Sequence, residues 1–140
     1  MKVLLAVDGS DYTKRMLEYL AAHDELLGAS HEYTALNGVT PVPPHAARHI
    51  ERKTLDGHYR DEATTVLDAV VAVAAEHGWN LTALYRPGHA AEEIAALAER
   101  EEFDLIVLGT HGHSALGSLV LGSVASGVLA RAQKPMLLVP

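Results

Sequence analysis

Short apolar runs alternate with amphipathic stretches along this chain. Residues 3–7 (Val-Leu-Leu-Ala-Val) are continuously apolar and are stopped by Asp8-Gly9-Ser10, the pattern of a strand buried on both faces. Ser10 or Asp11 can cap the helix that follows, in which Met16, Leu17, Leu20 and Ala21 form an i, i+3, i+4 stripe. Gly28 stands where a helix-terminating residue belongs. A second strand is predicted over 33–39. Pro41, Pro43 and Pro44 then predict an irregular loop over 40–58, rich in His and Arg. The next helix is predicted over 59–77, with Ala63, Val66, Leu67, Val70, Val71 and Ala74 on its inner face and Gly78 at its end. Further strands are predicted at 81–85, 105–108 and 135–139. A helix is predicted at 90–100 with Ile94, Leu97 and Ala98 inward, and a last one from Gly122-Ser123 to about residue 132.

The predicted order is therefore β-α-β-α-β-α-β-α-β. Such alternation means parallel strands joined by right-handed helical crossovers, an α/β fold. The chain has 140 residues and shows neither repeat nor linker, so residues 1–140 are expected to form one domain. Aromatic residues are only 5% of the sequence, which leaves the core to Val, Leu, Ile and Ala.

Charge narrows the choice of partners. The net charge is −7 and no basic stripe exists to displace the counterions of a nucleic acid, so none is expected as a partner. Arg48, Arg52, Lys53 and Arg60 are interspersed with acids and read as a solvated loop. The absence of cysteine removes disulfide, thiolate and zinc–thiolate chemistry. No apolar run approaches the roughly 20 residues that span a bilayer. The run at 3–7 is also too short for the core of a signal peptide. No membrane partner is expected, and the cytoplasm is the expected compartment.

The candidate chemistry lies in 109–123, a Gly-x2-Gly-x9-Gly-Ser pattern set between a buried strand and a helix. Glycine lets a main chain approach a phosphate with no Cβ in the way, and a helix N-terminus favours an anion. The loop carries neither the lysine of a P-loop nor the Gly-x-Gly-x-x-Gly of a dinucleotide fold. His111 and His113 could meet phosphate when protonated, but they read first as solvated loop histidines. His45 and His49 have a spacing that could seat a metal on a helix, but no completing ligand is near in sequence. Glu92-Glu93 and Glu99-Glu101-Glu102 read as solvated helix surface, and Asp8 reads either as a strand stop or as a ligand contact.

The motif resembles the nucleotide loop of ATP-binding universal stress proteins. Leu4-Leu5-Ala6-Val7-Asp8-Gly9-Ser10, Phe103-Asp104-Leu105-Ile106-Val107-Leu108-Gly109, Gly122-Ser123-Val124-Ala125 and Pro135-Met136-Leu137-Leu138-Val139 resemble that family's elements in the same order. The resemblance implies an open parallel five-stranded sheet of order 3-2-1-4-5 with helices on both faces. It also implies that Gly109, Gly112, Gly122, Ser123 and Val124 hold ribose and phosphates, with Ala6, Val7, Asp8 and Val39 beside the adenine and ribose. ATP, or ADP or AMP, is the implied ligand, with Mg²⁺ bridging the phosphates. The implied role is regulatory or protective in a stress response. No dedicated catalyst stands out, so binding without fast turnover is expected. The alternatives are a slow ATP hydrolase or phosphoryl or adenylyl transferase, and a partner-binding dimer with a vestigial nucleotide site. The final strand, apolar at Met136, Leu137, Leu138 and Val139, would lie at a sheet edge. It is expected to pair with its copy in a homodimer, as the resemblance also implies.

Overall fold

The computed structural model describes residues 1–112 and 120–140. Five strands form one parallel sheet: β1 (Lys2–Val7), β2 (Glu32–Val39), β3 (Asn80–Pro87), β4 (Leu105–Gly109) and β5 (Met136–Val139), in the order β3-β2-β1-β4-β5. The helices between them are α1 (Asp11–Ala22), α2 (Asp24–Leu27), α3 (Pro44–Ala47), α4 (Arg52–His77), α5 (Ala90–Arg100) and α6 (Ser123–Arg131). β1 is paired on both sides, Val7 lying opposite Asn37 of β2 and Leu5 opposite Val107 of β4.

The twofold alternation of a strand divides the core into two layers. Val3, Leu5 and Val7 face one side and pack with Met16, Leu17 and Leu20 of α1 and Ala63, Leu67, Val70 and Ala74 of α4. Leu4 and Ala6 face the other and pack with Ile94, Leu97 and Ala98 of α5 and Ala125 and Val128 of α6. Both faces of β1 are thus covered, which is why its sequence is a continuous apolar run. Tyr33 and Trp79 add a tilted aromatic pair, ring centroids 5.3 Å apart, at the other end of the sheet. The buried Tyr33 hydroxyl donates to the carbonyls of Leu27 and Gly28, and burial raises its pKa.

Three expectations are corrected. The segment 40–58 is not irregular throughout: α3 begins at Pro44, and α4 begins at Arg52 rather than near residue 59. The prolines end at position 44, where proline at the start of a helix is favourable, and nothing in 52–58 forbids a helix. Arg52, Lys53 and Arg60 accordingly lie on α4 rather than in a loop. Val71 faces outward and is 45% exposed. Gly28 follows the short α2 rather than α1 and is extended, not left-handed. Gly78, by contrast, closes α4 in the left-handed region at φ 69°. No described helix is long and apolar enough to cross a membrane.

At 26 residues, α4 is about 39 Å long, against about 26 Å for the strand before it. The helix therefore overhangs the sheet. Val42 N–H donates to the buried Tyr59 hydroxyl at 2.9 Å, which fixes the 40–44 segment to this extension. Gly57 lies within the early part of α4, and a Cβ there would meet nothing within 4 Å. Gly57→Ala should raise stability by about 0.5–1 kcal/mol, measured as a higher urea midpoint. A lower midpoint would show that α4 does not extend through 52–58.

Candidate functional site

In a sheet of this order the chain leaves β1 toward one side and β4 toward the other, and their carboxyl ends part into a crevice. A cleft of about 800 Å³ opens there. Ala6, Val7 and Asp8 come from β1 and its tip, Val39 from the end of β2, and Gly109 from β4. Gly112, Gly122, Ser123 and Val124 come from the loop and the start of α6. All nine residues singled out in the sequence line this one cleft. His113 falls outside the described residues.

Asp8 is held by a reciprocal network. Its Oδ1 accepts from Ser10 N–H and from the Thr13 hydroxyl, each at 2.9 Å, while Asp8 N–H donates to Thr13 Oγ1 at 3.0 Å. Ser10 caps α1 through its own hydroxyl oxygen, with Thr13 N–H as donor. Strand end, turn and helix start are thereby locked together, and Asp8 serves the fold as well as the cleft.

The three described loop glycines have separate reasons. A Cβ at Gly109 would lie 2.6 Å from Tyr12 Cβ on α1, and one at Gly112 would fall on Asp8 Oδ2. A Cβ at Gly122 would come within 2.8 Å of the Thr110 carbonyl oxygen. Gly122 N–H itself donates to that carbonyl at 2.7 Å, so this amide is committed within the loop. The first hydrogen bond of α6 runs from Ser126 N–H to Gly122 O at 2.9 Å. Ser123, Val124 and Ala125 precede it, and their amides have no acceptor within the helix. The helix end that faces the cleft is therefore residues 123–125, with Ala125 an addition to the sequence reading.

Sequence reasoning also missed Asn37. It is buried, lines the cleft, and donates from Nδ2 to the Val7 carbonyl at 2.9 Å. Its signal was a lone amide inside an apolar strand, since buried polar groups are kept only when partnered. Glu62, Thr65 and Val66 form a wall contributed by α4. They were hidden because nothing in their local sequence places them above the sheet. Leu36, Ile94 and Leu108 complete an apolar floor. Among the described residues no group of three His, Asp or Glu side chains could hold a metal, the His45–His49 region included.

Asp8→Ala should cost about 1–2 kcal/mol of stability, since it removes the acceptor for two buried or half-buried donors. Asp8→Asn, whose Oδ1 can accept the same bonds, should retain most of it. Equal losses for the two variants in equilibrium urea unfolding would contradict the network.

A model of the universal stress protein family matches residues 1–140. A universal stress protein of Thermus aquaticus is 34% identical over 137 residues, covering 98% of this chain and 96% of the relative. One from Bacillus subtilis is 30% identical over 149 residues, covering 99% and 97%. The fold also matches a universal stress protein family protein from Arabidopsis thaliana, solved with AMP bound. That match has a TM-score of 0.68 at 18% identity and covers 99% of this chain and 90% of that one.

Proposed function

This chain belongs to the universal stress protein family, and we propose that it binds ATP, or ADP or AMP, in the cleft between β1 and β4, as a cytoplasmic protein with a regulatory or protective role in a stress response. The observation that carries this reading is the first turn of α6. Ser123, Val124 and Ala125, whose amides have no acceptor within the helix, line the same cleft as the tip of β1. The Arabidopsis protein supplies a precedent for an adenine nucleotide on this fold.

The lining suits each part of such a ligand. Ala6, Val7, Val39, Leu36 and Leu108 offer an apolar slot for a base, and Asp8 brings a carboxylate beside the ribose position. The amides of Ser123, Val124 and Ala125 and the Ser123 hydroxyl would receive phosphate oxygens. No described lining residue is Lys or Arg, and Asp8 and Glu62 are acidic. Bare triphosphate would be repelled, so Mg²⁺ would enter on the nucleotide, held chiefly by phosphate oxygens and water. The same shortage of fixed cations favours binding over fast phosphoryl transfer.

Ser123→Pro isolates the amide. Proline is tolerated at the first position of a helix, and Gly122 already has the extended conformation, φ −62° and ψ 160°, that proline asks of its predecessor. Losing one charge-assisted donor should weaken MgATP binding by roughly 10- to 100-fold, with the fold retained by circular dichroism. Ser123→Ala, which keeps the amide, should cost less. Calorimetry showing wild-type affinity in Ser123→Pro would remove the α6 amides from the site.

We further propose a homodimer through β5. This strand pairs with β4 on one side and forms the sheet edge on the other. Met136, Leu137 and Leu138 are half-buried and Val139 buried, so no charge guards the edge. Leu138→Lys should shift a micromolar sample from dimer to monomer in sedimentation. A wild-type monomer at that concentration would refute the dimer.

A further inference from the structure

We propose that His111 is a positioning residue that clasps the two ends of the nucleotide loop and sets the start of α6 against the tip of β1. The half-buried imidazole makes three contacts in three different parts of the molecule. Its Nε2 is hydrogen-bonded to the Val120 carbonyl, nine residues later. Its Nδ1 meets Thr110 Oγ1 at 3.1 Å. Its ring lies against Tyr12 of α1, centroids 5.3 Å apart, and the Arg15 guanidinium lies 5.0 Å from the Tyr12 centroid. One side chain thus joins the loop's first residues, its last residues and the helix beneath.

The partners fix the tautomer. A carbonyl oxygen can only accept, so Nε2 carries the proton, and in the neutral ring Nδ1 accepts from the Thr110 hydroxyl. The clasp runs beside a backbone bond, Gly122 N–H to Thr110 O, and Thr110 N–H in turn donates to Val139 O of β5. Two adjacent bonds across the loop's base hold residues 120–122 in register with 110–111. Bringing together the ends of a segment of about ten residues costs on the order of 2 kcal/mol of closure entropy. A base held before the nucleotide arrives spares binding part of that cost, which is preorganisation.

This role rests on the nucleotide reading, but its test does not depend on it alone. His111→Phe keeps a ring against Tyr12 and loses both hydrogen bonds. His111→Gln can still present an N–H to the Val120 carbonyl. In nucleotide-free protein, amide exchange at Gly122 should be faster in the Phe variant by about tenfold and restored to within threefold in the Gln variant. Nitrogen NMR of the wild type should show the Nε2-protonated tautomer. MgATP affinity should follow the same order, about tenfold weaker for Phe and near wild type for Gln, with melting temperatures within a few degrees. Unchanged Gly122 exchange in His111→Phe, failure of Gln to rescue, or the opposite tautomer would overturn the clasp. Wild-type protein that binds no nucleotide yet shows the exchange pattern would overturn the nucleotide reading and leave the clasp standing.

Discussion

Everything in this molecule is arranged around the double pairing of β1. The strand is hydrogen-bonded to β2 on one side and β4 on the other, and its side chains are buried on both faces. Once β1 is central, the right-handed crossover rule sends α1 and α4 to one face and α5 and α6 to the opposite one. The chain must then leave β1 and β4 in opposite directions. The cleft at their carboxyl ends is a consequence of topology, and any backbone that ends there is exposed to whatever enters.

The two layers of the core are unequal in kind. The α1–α4 face carries the larger side chains, including Met16, Tyr33, Tyr59 and Trp79, whereas the α5–α6 face is closed largely by Ala91, Ala98 and Ala125 beside Leu and Ile. Small residues let α5 and α6 sit close together: a Cβ on Gly127 would lie 2.6 Å from the Ala91 methyl. A close helix pair holds the start of α6 firmly at the cleft. The opposite face instead supports the long α4, whose overhang supplies a wall of the cleft that no strand reaches.

Much of this was legible in the sequence, and the exceptions are instructive. The buried strands announced themselves because both faces are apolar, so no polar alternation was needed to find 3–7 or 105–108. The strand order was not in any local pattern; it came with the resemblance, because which strands neighbour one another is a long-range property. The start of α4 was missed because three prolines weigh heavily on a local reading, although the last of them opens α3 and places no restraint on residue 52. Val71 was assigned inward because Val70 and Val71 are chemically alike and only the helix's rotation separates them. The glycine pattern and the resemblance named nine residues that the fold brings to one cleft, but not the physical reason for each glycine. Asn37 and the α4 wall needed the assembled sheet, since each is defined by what lies across a gap from it.

The glycine pattern has two layers of cause. Each glycine first answers to a protein neighbour: Gly109 to α1 through Tyr12, Gly112 to β1 through Asp8, and Gly122 to the loop's own beginning at Thr110. Thr110 is the junction, because its amide is bonded to β5 and its carbonyl to Gly122. A side chain at any of the three would therefore displace a different element, and the loop is docked on the fold at three points before any ligand is considered. What the described contacts leave over is the first turn of α6, whose three amides have no acceptor within the helix. The start of α6 lies at the cleft because the bonds of Thr110 to β5 and of Gly122 to Thr110 bring the helix to begin there. In this sense the glycine spacing describes how the loop is mounted, and its suitability for an anion follows from where that mounting leaves the helix end.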